Sequence, residues 1–241
     1  MVLIDRTFPT PQENILFDEF LLLRAEKAQG SEVLRFWESP QHFIVLGRTG
    51  NLQEDVDIQR AQEEKIPILR RFSGGGTVIQ GKGCMNFTLI LSKDRDPALK
   101  DITKSYLYIL GKVSEALSLL GIPTRFKPTS DLVIGNDEKK FSGNAQHRGR
   151  QYVLHHGTIL YNFDLQMIAG FLKMPRAVPE YRGGRSHLDF VTNISVSYPG
   201  IKNSFKKIFG IHKKEIRLTK EEMVQWDEFL KRKTSDVVIA L

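Results

Sequence analysis

Residues 70–76, RRFSGGG, set two guanidinium groups beside three consecutive glycines. Glycine forfeits backbone entropy and adds no packing, so three in a row among strand-like residues need an offsetting use. One use is close approach of a ligand to bare backbone N–H groups. These form an anion-binding concavity, which Arg70 and Arg71 would supplement with bidentate donors for a phosphate or carboxylate. A mobile turn or bulge is the alternative. Two phosphate motifs are excluded: no Gly-Lys-Ser/Thr follows at P-loop spacing, and the glycines do not fall as GxGxxG between a strand and a helix.

Further along, Asp131 opens an apolar run and Lys140 lies in the run that should pair back against it, so a hairpin would bring the two charges together. Lys140 is then either a solvated edge residue or a point charge for a phosphate or acyl carbonyl, with Asp131 holding Mg²⁺. His155 and His156 precede Gly157. Adjacent strand residues face opposite sides and no third ligand is spaced to join them, which argues against zinc and for one histidine packed in the core. Gly157 would let backbone approach a ligand. Cys84, the lone cysteine, rules out an intramolecular disulfide and agrees with a reducing compartment.

Positioning these groups falls to a chain of 241 residues, 41% hydrophobic, which fits one large domain or one domain with a small appendage. Residues 14–28 carry Ile15, Phe17, Leu21, Leu22 and Ala25 near helical spacing, with Pro11 and Gly30 as start and stop signals. VLRFWE and HFIVLG, separated by Ser39-Pro40-Gln41, read as a β-hairpin. A polar helix is expected over 55–65, an amphipathic helix over 104–120 and further helices over 164–174 and in the tail. PILRRF, TVIQ, NFTLILS, SDLVIG, KKFSGNAQHR and QYVLHHGTILYNFD supply strands, with the glycine triplet as a break. Helix and strand do not alternate regularly, so the expectation is an α+β domain with a mostly antiparallel sheet.

The net charge of +7 would attract something anionic. Basic residues thicken over 202–214 as a solvated face or a docking surface. No RNP-type aromatic motif, Cys/His finger or helix-turn-helix accompanies them, so nucleic acid is not the expected partner. No apolar run approaches the roughly 18 residues that span a bilayer, and the chain reads as cytoplasmic, or organellar after loss of a targeting peptide.

Taken in order, Gly47-Arg48, residues 70–76, residues 130–134, residues 140–145 and residues 155–160 resemble the catalytic domain of lipoate-protein ligases, within the superfamily that also holds biotin ligases and octanoyltransferases. The resemblance runs from about residue 3 to residue 195. It implies a mixed, largely antiparallel sheet flanked by helices over residues 1–200, related to the class II aminoacyl-tRNA synthetase fold, with residues 201–241 as a helical extension packed on it. It implies two steps: lipoate attacks the α-phosphate of MgATP to give lipoyl-AMP, then a carrier lysine attacks that anhydride and releases AMP. Both steps develop charge on phosphoryl or acyl oxygens. Lys140 matches the family's central lysine. Arg71, Gly75, Gly76, Thr77, Val78 and Ile79 match the nucleotide loop, and His156 and Gly157 would border the acyl-adenylate. Asp131 matches a position near magnesium. Trp37, Phe43 and Val45, with Gly74, Gly75 and Lys140, would line the lipoate slot, although core packing explains the three apolar residues equally well.

The implied partners are apo carrier domains, either the E2 of 2-oxoacid dehydrogenases or the glycine-cleavage H protein. Many bacterial relatives carry a C-terminal domain of roughly 90 residues that assists adenylation. None is visible here, so a separate accessory protein is expected, or transfer from preformed lipoyl-AMP. Cys84 replaces an asparagine common among relatives. Cysteine-dependent transferases place theirs elsewhere, and Thr129-Ser130 stand at one such place here. A biotin ligase is disfavoured by the missing GRGRxGRxW-type loop, and retention of Lys140, Arg71 and Asp131 together argues against a non-catalytic binding subunit. The segment over 179–194, where Arg182, Arg185 and His187 cluster beside two glycines, is left as a surface loop, a lid or a carrier-docking loop.

Overall fold

One long central strand organises the chain. In the computed structural model, which describes residues 1–28, 31–175, 177–211 and 218–239, the strand Cys84–Ser92 lies third in a seven-stranded sheet. In chain order the strands of that sheet are β1 (Val2–Asp5), β2 (Val33–Trp37), β6 (Cys84–Ser92), β7 (Arg125–Lys127), β8 (Asp131–Ile134), β9 (Lys139–Arg148) and β10 (Tyr152–Leu160), and their spatial order is β1-β2-β6-β10-β9-β8-β7. Only β1 and β2 run parallel; the other neighbours are antiparallel. A second sheet holds β3 (Phe43–Leu46) between β4 (Ile68–Arg70) and β5 (Val78–Gln80). The expected α+β architecture with a mostly antiparallel sheet is what forms.

Side chains alternate across a strand, and β6 uses both faces. Met85, Phe87, Leu89 and Leu91 enter the main core with helices α4 (Ile102–Ser118) and α7 (Tyr198–Ile208). On the other face Ile90 joins the core under α1 (Pro11–Ala28), and Cys84 joins the one behind the small sheet. Between those apolar ends the same face carries Asn86 and Thr88, which line a cavity. Truncating a fully buried residue such as Phe87 to alanine should cost about 3–5 kcal/mol.

Local chemistry fixes the helix ends. Glu13 Oε2 accepts from Thr10 N at 2.9 Å while Thr10 Oγ1 accepts from Glu13 N at 3.3 Å, a capping box at the start of α1. Thr219 and Glu222 repeat it for α8 (Lys220–Val237), whose Trp226 and Phe229 pack on Phe17 and Phe20 of α1. Gly30, expected to stop α1, and residues 212–214 of the basic stretch lie outside the described residues. No described helix is long and apolar enough to cross a membrane.

Three expectations change. VLRFWE and HFIVLG do not form a hairpin: β2 pairs with β1 and β6, whereas β3 pairs with β4 and β5. Both strands are buried throughout, so each is needed inside a different sheet. The polar helix over 55–65 is broken into α2 (Leu52–Asp55) and α3 (Ile58–Glu63), because Val56 leaves the helix to bridge Leu172 and Asp57 caps the next turn. β1 and β7 were not foreseen; each is short and lies at a sheet edge. Two short helices, α5 (Leu165–Phe171) and α6 (His187–Phe190), complete the wall around the cavity.

Candidate active site

A cavity of about 990 Å³ lies between the small sheet, the face of β6 and β10 that carries Thr88 and His156, and the chain over residues 177–191. The glycine loop forms part of its wall, and its arginines do structural work. Arg71, 8% exposed, donates from Nη2 to Gly74 O at 2.7 Å and Gly76 O at 2.8 Å, and from Nε to Ser73 Oγ at 3.1 Å. Burial lowers the pKa of its guanidinium to about 10, still cationic at neutral pH. Arg70 Nη1 reaches Gly47 O at 3.0 Å and Gly50 O at 2.8 Å, pinning the neighbouring turn. Both arginines were expected to serve a ligand; the guanidinium of Arg71 and Nη1 of Arg70 hold the loops instead.

Two of the glycines near this loop are required by geometry. Gly75 has φ +90°, and a Cβ on Gly47 would stand 2.0 Å from Gly75 O. Gly74 and Gly76 face open space. Among the described residues, no backbone acceptor is paired with the N–H groups of residues 74–77. That is the donor-rich concavity an anion needs. Thr77 Oγ1 donates to Asp55 Oδ2 at 2.6 Å, closing the far side of the loop.

Lys140 and Asp131 meet as the hairpin predicts, Nζ to Oδ1 at 2.8 Å, on paired strands β8 and β9. Gly143 lies under the lysine, since a Cβ there would come within 3.2 Å of both Cε and Nζ. Tyr181 donates its hydroxyl to Asp131 Oδ2 at 2.7 Å, and burial beside that carboxylate drives the phenol pKa up. Both Asp131 oxygens therefore have protein donors. No cluster of three or more His, Cys, Asp or Glu side chains suited to a metal occurs among the described residues. Asp131 is thus the counter-ion of Lys140.

The adjacent histidines split as strand alternation requires. His155 is fully buried, its Nε2 3.2 Å from Asn144 Oδ1 and its Nδ1 3.2 Å from Gln146 Nε2. Those partners fix a neutral ring with the proton on Nε2, and burial pulls its pKa to about 3. Gly157 is obligatory beside it, because a Cβ there would lie 1.9 Å from Asn144 Oδ1.

His156 faces the cavity, with Nε2 2.7 Å from Ser73 Oγ and Nδ1 3.7 Å from Asp18 Oδ2. Burial holds its pKa low too, against the pull of Asp18. Asp18 in turn pairs with Arg35 at 2.6 Å and accepts from Thr88 Oγ1 at 2.7 Å. Burial opposes the charge on Asp18, but Arg35 and His156 together keep its pKa below the ordinary value. Ser73, His156 and Asp18 are drawn from the residue types of a hydrolase triad. Ser73 is fully buried and already accepts from Arg71, so it serves as a strut that ties the loop to β10 through His156.

At its apolar end the cavity is lined by Trp37, Val45 and Val78, which belong to one cluster with Ile15 and Leu69. Phe43 lies behind Trp37, ring centroids 6.5 Å apart, and supports the wall rather than forming it. Gly74 contributes its carbonyl to Arg71. Cys84 is 1% exposed, and burial raises its thiol pKa well above the ordinary value, so it is no nucleophile at neutral pH. Sequence reasoning missed Asp18, Arg35, Asp55, Ser73 and Tyr181. Asp18 and Arg35 did leave a signal: each is a charge inside an otherwise apolar helix face or strand, and such charges must be paired.

A family model for the lipoyl protein ligase A/B catalytic domain matches residues 10–208. The chain belongs to that family. Among curated relatives it is 31% identical over 191 residues to a protein named "Probable lipoate-protein ligase A" from Mycoplasma pneumoniae, 79% of this chain and 54% of that one. It is 28% identical over 196 residues to the lipoate-protein ligase LplJ of Bacillus subtilis, 81% of this chain and 56% of that one. The chain thus spans about half the length of the curated relatives it matches.

Among solved structures, a bi-partite lipoate protein ligase from Thermoplasma acidophilum, analysed with its E2 lipoyl domain, superposes with a TM-score of 0.82 at 26% identity, covering 97% of this chain and 93% of that one. A lipoate-protein ligase A solved with ATP bound shares the fold, with a TM-score of 0.81 at 24% identity over 97% of this chain and 95% of that one.

Proposed function

We propose that the chain is an ATP-dependent lipoate-protein ligase that forms lipoyl-AMP and transfers the lipoyl group to a lysine of a carrier domain. The observation that carries this reading is the Lys140–Asp131 pair, with its 2.8 Å contact, in a cavity that joins a donor-rich glycine loop to an apolar slot. One end suits a phosphate and the other an acyl chain. The charged lysine belongs where they meet, against the α-phosphate and the carboxyl oxygen. Both steps pass through transition states with charge on those oxygens, and a fixed ammonium stabilises that charge more than it stabilises the ground state. Magnesium enters with the nucleotide as MgATP. The relatives' names, and the ATP-bound and carrier-associated structures among the neighbours, support the choice of substrates. The buried, high-pKa Cys84 disfavours a thioester-forming transferase.

The test supplies lipoate, MgATP and an apo E2 lipoyl domain and follows pyrophosphate release and carrier mass. The wild-type chain should release pyrophosphate and add one lipoyl group, and Lys140→Met should lower the adenylation rate by about 10²–10³-fold with the fold intact. Transfer from synthetic lipoyl-AMP with no pyrophosphate from ATP would replace the ligase reading with a transferase.

A further inference from the structure

Arg182 and Arg185 flank Gly183 and Gly184, whose φ values of 58° and 74° fold the chain back on itself. Each arginine then donates from Nε to the other's carbonyl, both at 2.9 Å, and both guanidinium groups lie over the Phe190 ring, at 4.6 and 5.2 Å. Arg185 spends its remaining donors on the carbonyls of Asp137 and Tyr181. Arg182 has poorer partners. Its Nη2 meets only the Met174 sulfur at 3.2 Å and His187 Nδ1 at 3.4 Å, and its Nη1 meets none among the described residues.

Arg182 is 3% exposed and lines the cavity that also holds Lys140. Its charge is opposed by burial and by Arg185, and no described carboxylate pairs with it. Two like charges over one ring, one of them buried without a counter-ion, are costly unless an anion completes the arrangement. With so little exposure, a side chain of a docking protein could not reach it, whereas a small polyanion inside the cavity could.

We propose that Arg182 binds the polyphosphate end of the nucleoside triphosphate and holds pyrophosphate as it leaves; this rests on the ligase reading above. In the first step the lipoate carboxylate oxygen bonds to the α-phosphorus. The bond from that phosphorus to the bridging oxygen breaks, and the electron pair departs on pyrophosphate. Charge therefore grows at two places, and Lys140 answers only one of them. The clasp around the two glycines answers the other, with Arg185 and Phe190 positioning Arg182.

Titration calorimetry of the intact chain with inorganic pyrophosphate and magnesium, and separately with AMP, tests this. Arg182→Gln should weaken pyrophosphate binding by about tenfold or more while AMP affinity stays within about twofold, and Arg182→Lys should recover part of the loss. Unchanged pyrophosphate affinity in Arg182→Gln overturns the assignment. So does equal loss of both ligands in Arg182→Gln and Arg182→Lys together with a lowered melting temperature, the mark of a purely structural residue. A wild-type chain that binds neither AMP nor pyrophosphate overturns the ligase reading as well. One that binds both without discrimination by the variants sinks only the role of Arg182.

Discussion

Two pairs of arginines beside glycines look alike in the sequence and do different work in the fold. Arg70 and Arg71 direct their donors at backbone carbonyls and hold the 47–50 turn and the glycine loop in shape. Arg185 does the same on the other side of the cavity, but Arg182 keeps a donor in reserve beside a thioether and an imidazole. What separates Arg182 from Arg71, both of them buried, is therefore the tally of donors against acceptors. Proximity to glycine does not distinguish them.

Arg71→Met should give the largest effect, a loss of about 3–4 kcal/mol of unfolding free energy by urea titration, because the buried Ser73 hydroxyl, two half-buried loop carbonyls and a buried side chain lose their partners together. Arg182→Gln, measured the same way, should cost less than about 1 kcal/mol. Equal losses would break the comparison.

Gly47→Ala comes next: its Cβ cannot coexist with Gly75 O at 2.0 Å, so the loop must shift, and nucleotide affinity should fall about tenfold or more. Gly74→Ala, with open space around it, should stay within about threefold.

Acid supplies a smaller, graded effect. The folded chain refuses a proton at His155 until about pH 3, whereas the unfolded chain accepts it near 6.5, so stability should fall as pH drops through that window. The slope contributed by this one group is at most about 1.4 kcal/mol per pH unit. Urea titrations should show a flatter pH dependence for His155→Gln, while His187→Gln on the clasp side should leave most of it.

Much of this was legible in the sequence because it is local. The hairpin that joins Asp131 to Lys140, the break at the glycine triplet and the opposite faces of His155 and His156 all follow from period-two strands and turn residues. The long-range features were not. Nothing within a few residues of β2 tells it to leave β3 and pair with β6, and the Ser73–His156–Asp18–Arg35 chain joins four separate elements. Tyr181 partners Asp131, 50 positions away in the chain, because residues 177–191 fold against β9 through the Lys140–Val191 bridge. The roles of Arg71 and Asp131 shifted for the same reason, since motif position names a residue but does not say which of its atoms remain free.

The Arg71 clamp also bears on when the loop loses its freedom. Fixing one flexible residue costs about 1–2 kcal/mol of backbone entropy. A loop already tied at Ser73, Gly74 and Gly76 makes that sacrifice during folding, before any ligand arrives. Nucleotide capture at this wall should resemble a key entering a cut lock, with little ordering left to do. A variant with a slackened clamp would have to mould the loop afresh around every molecule it binds.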